Sequence, residues 1–533
     1  MQQKRRVVRS VTLAAILVLV SFFFIKMRSF ADDSRPTDSQ NLGRGIYRNG
    51  TSPGTEIRTH LQTDITAPAR NFPCANCHGL EGEGGKEGGF NVPPLRWEIL
   101  TTARASGTSS RARLPYAENS VRRAISSGLN PAGLPLSPAM PRYQMDDGQM
   151  NDLVAYLKIL GIEADADPGL NSTTIRVGTI LPITGPQAVI GTNVQAVLQA
   201  YFDKVNSAGG IYGRKFELIV SDSRGQVQTS ITALHELADR KNVFALIANY
   251  VPNSAVLDDE LAALNIPLVS PISFGPQANI VDHYRFDILP SFADQARCLV
   301  TYVESQLPTT TTRRYAVVHS RGSIDLNATA GFSHQIQAIG VPKPAEFQYE
   351  TGKFSFNEAE EFLKKNRPDF VFFFGNNNEL KAIIKSSIAN NLSIRFLTTT
   401  AMSADFPLLA SEDEADVVWL AHPLTMSKEI SASLRELERD FKVRITNPAF
   451  GIAAYTAADV FTEAVKRSGR RLSRARLING LELFREFKTK FMQPITFGTN
   501  IRNAAGGCVV VKVDPKTQQY APLSDWIAVE SEP

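Results

Sequence analysis

Five consecutive residues, Cys74-Ala75-Asn76-Cys77-His78, restrict this chain more than any other feature. A Cys-x-x-Cys pair has three common uses: structural zinc, a redox-active dithiol and attachment of haem. No second Cys/His pair lies nearby at zinc-finger spacing, and no apolar strand precedes Cys74 as it would in a thioredoxin-like motif. Haem attachment also uses the histidine, because two thioethers hold the porphyrin while the adjacent imidazole reaches the iron. The motif therefore predicts one covalent haem c on Cys74 and Cys77, with His78 as proximal iron ligand.

A second axial ligand is expected downstream, where Met140, Met145 and Met150 follow one another. Met150 fits the apolar face of an amphipathic helix, which is typical of core packing. Met140 lies between Pro138 and Pro141, and these prolines restrict the backbone around a soft thioether donor. We expect Met140 to be the distal iron ligand.

Residues 40–161 resemble the class I cytochromes c. The likeness rests on NLGRGIYRNG as a first helix, on the glycine after the motif histidine, and on AMPRYQMDDGQMNDLVAYL as methionine loop and final helix. It implies a small all-α cytochrome c domain in which Gly45 packs closely against Tyr156. It also implies that a carbonyl in VPPL, assigned to Pro94, accepts a hydrogen bond from His78 and orients its ring. The implied activity is electron transfer.

The N-terminus predicts export. MQQKRRVVRS is basic, and residues 11–25 form a 15-residue apolar run. Small residues around Ala31 suit cleavage after that position, whereas Lys26 and Arg28 are unusual in a cleaved signal peptide. Residues 1–31 are therefore interpreted as a signal peptide or an N-terminal anchor in the inner membrane. The rest of the chain is expected in the periplasm.

Bulk charge and motifs exclude some function classes. The formal net charge of +4 arises from 57 Lys+Arg and 53 Asp+Glu, a balance that does not predict nucleic-acid binding. No phosphate loop, Gly-x-Ser-x-Gly or His-Glu-x-x-His motif is present, so we do not expect an enzyme. Cys298 and Cys508 could form one bridge or stay as two buried free thiols, and the frequent burial of cysteine favours free thiols.

The sequence pattern changes after residues 162–174, an acidic and small-residue stretch that we interpret as a linker. Apolar runs typical of buried strands, such as IRVGTIL and DFVFFFG, then alternate with helical stretches such as NVQAVLQAYFDKVNSAGG. This alternation predicts an α/β fold with a mostly parallel sheet. Because about 360 residues exceed a single core, residues 175–533 are expected to form two lobes with a cleft at the strands' carboxyl ends.

Residues 175–533 also resemble the type I periplasmic binding proteins of the branched-chain amino acid receptor group, which serve ABC transporters. The likeness rests on VGTILPITGPQAVIGTNVQAVLQAYFDKVNSAGGIYGRKFELIVSDS, on ALNIPLVSP and on FGIAAYTAADVFTEAVKRSG. It implies a two-lobed periplasmic-binding-protein-like domain. It also implies that the chain crosses between the lobes about three times, near residues 290, 422 and 495.

The loops expected at the cleft differ from those of the amino acid receptors. The candidate ligand contacts share hydroxyl, amide or aromatic character and are Thr184, Asn253, Ser254, Ser273, Phe274 and Asn376. Asn253 and Phe274 stand where hydroxyl residues are expected, and GNNNE is interpreted as lacking a carboxylate for an ammonium group. These side chains suit a small polar or aromatic ligand. The alternative is a cleft that binds nothing and a module that serves for docking.

Two functions fit these features. One is an exported electron carrier whose binding-protein-like module senses a ligand or docks to a periplasmic redox partner, such as a dehydrogenase or another cytochrome. The other is a solute receptor for a transporter or sensor, with the haem as an accessory. The intact haem motif and the altered cleft loops favour the electron carrier.

Overall fold

The computed structural model describes residues 36–529 except for residues 62–64, 88, 107–108, 163–164, 276–282, 307–312, 404–405, 427 and 505. The chain divides into two compact units, with the boundary between Ala166 and Asp167. Residues 1–31, interpreted above as a signal or anchor, lie outside the described residues. Among the helices that are described, none combines the length and apolar content needed to cross a membrane.

The first unit is built mainly from helices. These are α1 (Asp38–Asn49), α2 (Cys74–His78), α3 (Trp97–Leu100), α4 (Glu118–Ser127) and α5 (Asp147–Leu157). A capping box of Thr37 and Gln40 begins α1, and one of Asp146 and Gln149 begins α5. These side chains bind N–H groups that a first turn leaves without helical partners, which explains where both helices start.

Short strands supplement this helical core. They are β1 (Arg58–His60), β2 (Thr66–Pro68), β3 (Gly85–Glu87), β4 (Phe90–Val92), β5 (Arg104–Ser106), β6 (Ser109–Arg113) and β7 (Arg142–Gln144). A sheet has the order β2-β1-β7, while β3 pairs with β4 and β5 with β6, all antiparallel. The predicted helical domain is present, and its short strand pairs depart from the all-α expectation.

The close crossing of α1 and α5 depends on a glycine, but not on the predicted one. A Cβ at Gly43 would lie 2.0 Å from the Asp152 carbonyl oxygen and 2.7 Å from Tyr156 Cβ. At Gly45 the corresponding atom would meet only the Thr51 oxygen, at 3.4 Å. The contact assigned to Gly45 therefore belongs to Gly43, two residues earlier.

The first lobe of the second unit is a parallel sheet covered by helices. Its strands are β8 (Thr174–Leu181), β9 (Lys215–Asp222), β10 (Ala245–Ile247), β11 (Leu268–Val269) and β12 (Arg285–Phe286), in the order β12-β11-β10-β8-β9. Its helices are α6 (Ala188–Ser207), α7 (Val227–His235) with a π-helical turn at Glu236–Arg240, α8 (Ala255–Ala263), α15 (Lys428–Phe441), α16 (Pro448–Ser468) and α17 (Arg474–Glu482). Phe202, Phe461 and Leu477 are buried together in its core.

The second lobe is a mixed sheet with helices on both faces. Its strands are β13 (Tyr315–Ser320), β14 (Ala345–Tyr349), β15 (Phe370–Phe374), β16 (Arg395–Thr399), β17 (Val418–His422), β18 (Gly507–Asp514) and β19 (Gln519–Ala528), in the order β14-β13-β15-β16-β17-β18-β19. Its helices are α9 (Phe292–Gln306), α10 (Ser323–Ala338), α11 (Phe356–Asn366), α12 (Asn377–Ala389), α13 (Phe406–Leu409) and α14 (Glu412–Asp416). Strands β13 to β17 run parallel to one another, while β18 and β19 pair in antiparallel fashion. The two-lobed α/β prediction is confirmed.

The chain crosses between the lobes close to two of the three predicted places. One crossing joins β12 to α9, and the next follows His422. Ile495 is still buried in the first lobe's core, and Asn503 pairs with Asp287 beside β12. The third crossing therefore precedes β18, about ten residues after the predicted residue 495.

Two acidic residues of the predicted linker 162–174 are buried, while its described residues 162, 168 and 171–173 are exposed. Asp165 is buried in the first unit, where Arg44 and Arg48 reach its Oδ1 at 3.1 and 3.4 Å. Asp167 is buried in the second unit and accepts a hydrogen bond of 2.6 Å from the Arg474 backbone. The polar composition suggested a solvated stretch, but these carboxylates are bound within their own units.

Cys298 and Cys508 form a disulfide between α9 and β18, with Cα atoms 6.1 Å apart. Both residues are fully buried. The preference for two free thiols is therefore corrected in favour of the bridge that was the alternative.

Candidate haem site and ligand cleft

The Cys-x-x-Cys-His motif forms helix α2 at the wall of a cavity of about 590 Å³ in the first unit. Pro73 precedes the helix as its N-cap residue in an extended conformation, where its missing N–H removes no helical hydrogen bond. Cys74, Cys77 and His78 all line the cavity. Burial raises the pKa of the Cys74 thiol to about 11, which keeps this sulfur protonated and neutral until a thioether forms.

His78 is nearly buried and is oriented by the backbone of the loop after β4. Its Nδ1 donates a hydrogen bond of 2.9 Å to the Pro93 carbonyl oxygen. With the proton on Nδ1, the neutral ring has its lone pair on Nε2, the atom that can bind iron. The carbonyl that orients His78 was assigned to Pro94; the structure corrects it to Pro93, one position earlier.

Met140 lines the cavity, whereas Met145 and Met150 pack in the helical core. The Met140 N–H donates to the Ser137 carbonyl at 3.1 Å, which closes a turn at the cavity edge. This placement agrees with the choice of Met140, whose bond to iron stays a prediction.

Two tyrosines complete the polar part of the cavity wall. The Tyr47 hydroxyl donates to the Gly79 carbonyl at 2.7 Å, and the Tyr143 hydroxyl donates to the Phe72 carbonyl at 2.6 Å. Burial raises the pKa of both phenols well above the usual range, so both remain neutral donors. The other walls are mainly apolar. Volume, apolar walls and a donor set of two thiols, an imidazole and a thioether together fit one haem c.

The cleft candidates in the first lobe follow its strands but are partly occupied with each other. The Thr184 hydroxyl donates to Asp222 Oδ2 at 2.6 Å, while Oδ1 accepts the Thr184 N–H at 3.2 Å. Partial burial opposes ionisation of Asp222, but these hydrogen bonds outweigh it and lower its pKa. The Ser273 hydroxyl donates to Asn253 Oδ1 at 3.2 Å, and Ser254 precedes α8. The structure thus brings Asn253 and Ser273 together and gives Thr184 a local role.

Two further candidates have structural roles. Phe274 packs against the cores of both lobes, 5.7 Å from the Phe292 ring, and its carbonyl accepts the Phe292 N–H at 2.7 Å. Asn376 caps α12 by accepting from the Asn378 and Glu379 N–H groups at 3.0 and 3.1 Å. Phe274 therefore supports the first crossing, and the Asn376 side-chain oxygen serves the helix end.

Sequence reasoning missed an acidic residue in the second lobe. Glu379, the last letter of GNNNE, follows β15 and accepts a hydrogen bond of 2.6 Å from the Tyr349 hydroxyl at the end of β14. Asp325 lies close enough for Glu379 to raise its pKa, although burial is the larger cause. The Glu379 carboxylate also accepts the Asn376 N–H at 3.0 Å, and the expectation that this loop offers no carboxylate to an ammonium group stays a prediction. The signal was present, since Glu379 is the fifth residue after the end of β15.

Comparisons with known proteins agree with this division. The periplasmic binding protein family matches residues 174–519, and the cytochrome c family matches residues 70–161. The Leu/Ile/Val-binding protein BraC3 of Rhizobium johnstonii is 23% identical over 303 residues, covering 55% of this chain and 80% of that protein.

Solved structures show the same fold for the second unit. A fatty acid ABC transporter substrate-binding protein from Thermomonospora curvata aligns with TM-score 0.56 and 16% identity, covering 69% of this chain and 95% of that one. A branched-chain amino acid ABC transporter protein from Thermus thermophilus with bound valine aligns with TM-score 0.54 and 15% identity, covering 68% and 98%. This chain belongs to the periplasmic binding protein family and carries a cytochrome c domain in front of that module.

Proposed function

We propose that the chain is an exported c-type cytochrome that transfers electrons through one covalent haem, with the binding-protein module for ligand sensing or docking to a periplasmic redox partner. The observation that carries this proposal is the arrangement of Cys74, Cys77, His78 and Met140 around one cavity. When bound, the haem supplies a one-electron redox couple. The thiols tether it, and the Pro93 carbonyl holds the His78 proton on Nδ1.

The ligand assignment is tested with the full chain matured with haem. A covalent haem content near one per chain is expected. Replacement of Met140 by alanine should lower the reduction potential, because thioether ligation favours ferrous iron. Met145→Ala is the matched control, because Met145 packs against the core and is not part of the cavity wall. A lowered potential in the Met145 variant alone, or a content near zero or two, would contradict the proposal.

Solute reception is the second candidate function, favoured by the hydrogen-bonded pair of Tyr349, at the end of β14, and Glu379, just after β15, two strands that flank β13. A carboxylate at this edge suits a ligand with an ammonium group, and relatives carry names of leucine-, isoleucine- and valine-binding proteins. Calorimetric titration of the full chain with these amino acids tests it. Binding that Glu379→Gln weakens and Glu350→Gln leaves unchanged supports reception, since Glu350 is exposed and pairs with Lys353. If none of these amino acids binds, the proposal of amino acid reception is contradicted and the electron carrier is left without an amino acid ligand.

A further inference from the structure

We propose that Arg142 is a positioning residue that holds Met140 on the haem iron. The inference rests on the proposed function, in which Met140 is the distal ligand. Arg142 is the first residue of β7 and stands opposite His60 of β1 in the antiparallel pairing. Its backbone is therefore fixed by a sheet, while its side chain reaches back over the loop that carries Met140.

One guanidinium group binds both arms of that loop. Arg142 donates from Nη1 to the Met140 carbonyl, and from Nη2 to the carbonyls of Leu136 and Ser137 at 3.4 and 3.3 Å. The contacts join the residue that bears the thioether to the residues where the loop begins. A displacement of Met140 away from the cavity would break the Nη1 bond.

The composition of the loop explains why a side chain is needed. Residues 135, 138 and 141 are prolines, which have no N–H group. Backbone pairing within residues 135–141 is accordingly sparse: Leu136 donates to the Gly128 carbonyl at 2.7 Å, and Met140 donates to Ser137 at 3.1 Å. The fork of Arg142 supplies the additional donors for the loop's carbonyls.

The Arg142 side chain passes directly over Gly128, the residue that caps the end of α4. A Cβ at Gly128 would lie 1.8 Å from Arg142 Nε, so the absence of a side chain at Gly128 leaves the space through which Arg142 crosses. Gly128 also has φ +69, a conformation that glycine adopts without strain. The carboxyl end of a helix favours a nearby cation, which further stabilises this position of Arg142.

Lysine cannot reproduce this arrangement, because its ammonium is a single point donor on a flexible stem. Arg142→Lys keeps the charge and removes the fork. Arg123→Lys is the matched control: Arg123 donates to the Asn130 and Pro131 carbonyls at 3.0 and 3.3 Å, outside the loop of Met140. In both variants an ammonium replaces a guanidinium that donates hydrogen bonds to loop carbonyls.

The test uses the full chain matured with haem and compares wild type, Met140→Ala, Arg142→Lys, Arg123→Lys and the Met140/Arg142 double variant. Two quantities are measured on the ferric protein: the far-red absorption band of thioether-ligated haem and the affinity for added imidazole, which competes with Met140 for iron. In Arg142→Lys we expect a weaker band and about tenfold tighter imidazole binding, the size of one charge-assisted hydrogen bond. In Arg123→Lys we expect both to match wild type.

The outcomes separate this inference from the proposed function. A wild type without the band, or a Met140→Ala variant that keeps it, overturns both. If Met140→Ala loses the band but Arg142→Lys behaves as wild type or as Arg123→Lys, only the role of Arg142 is overturned. In the Met140→Ala background, Arg142→Lys should change imidazole affinity by less than about twofold, because the Met140 thioether through which Arg142 acts is absent. A tenfold effect there contradicts the role as well.

Gly128→Ala is a second variant should Arg142→Lys fail to incorporate haem. Its Cβ would displace the guanidinium without altering the charge or identity of Arg142. We expect the same direction of change in band and imidazole affinity, and a wild-type result would overturn the inference.

Discussion

At the scale of single residues, a glycine decides where the partner of His78 can lie. Gly84 has φ +69, and its backbone N–H donates to the His78 carbonyl at 2.8 Å. A Cβ at Gly84 would lie 2.5 Å from the Val92 oxygen and 2.8 Å from the Pro93 carbonyl carbon. The absence of a side chain therefore lets the strand that ends at Val92 approach the motif and place the Pro93 carbonyl at His78 Nδ1.

Gly84→Ala should reduce stability and disturb the ring orientation of His78. We expect a loss of about 1–3 kcal/mol in the free energy of unfolding, from left-handed backbone strain and displacement of the Pro93 carbonyl. Gly54→Ala is the control, because Gly54 has φ +89 with nothing within 4 Å of its would-be Cβ. Denaturant unfolding of both variants measures the difference. Equal losses in the free energy of unfolding would show that the close approach at Gly84 does not contribute to stability.

At the scale of elements, the carboxyl end of β17 places a histidine where the chain leaves the second lobe. His422 Nδ1 lies 3.1 Å from the Thr400 hydroxyl, just beyond β16, and its ring lies 5.8 Å from that of Tyr520 on β19. Burial disfavours the imidazolium and lowers the pKa of His422 to about 4. This strand end is therefore built around a neutral imidazole.

The stability of the second unit should depend on pH through His422. The pKa is about 6.5 in an unfolded chain, so below that pH the unfolded state binds the proton first. The stabilisation is complete above about pH 6.5 and is lost as the pH falls towards the folded value. Between about pH 7 and about pH 5, the free energy of unfolding of wild type should fall by about 1–2 kcal/mol more than that of His422→Gln. Denaturant unfolding at both pH values measures the difference. His283→Gln, at an exposed position, is the control and should follow the wild-type curve.

At the scale of the whole molecule, the two units have independent cores, and the second is closed by contacts between distant parts of the chain. Phe202, which precedes the second lobe, and Phe461, which lies between its strands β17 and β18 in the sequence, share the first lobe's core. The Cys298–Cys508 disulfide spans a sequence separation of 210 and joins α9, which follows the first crossing, to β18, which follows the third. The second lobe is thus bound to itself by a covalent link between its first helix and its late strand.

Removal of that disulfide should destabilise the second unit. A Cys298→Ala/Cys508→Ala variant is expected to lose about 2–4 kcal/mol, because the bridge restricts the unfolded chain over a long loop. Calorimetric unfolding of the full chain reports the change, and the first unit's transition serves as internal control. Alkylation of Cys298 and Cys508 in denatured, unreduced wild-type protein would show that no bridge had formed.

Much of this molecule could be predicted from patterns of residues that lie close together in the sequence. The cytochrome c domain and the alternation of buried strands with helices could be predicted because each depends on residues that are adjacent or periodic in the chain, while the iron bond of Met140 stays a prediction. Tertiary contacts decided the rest: Gly43 instead of Gly45 at the helix crossing, Pro93 instead of Pro94 at His78, and the disulfide instead of free thiols. Composition alone did not predict the burial of Asp165 and Asp167, since burial and pairing depend on partners far away in sequence. A motif specifies which groups are present, but a register shift of one or two residues changes which carbonyl or Cβ they meet, and only packing sets that register.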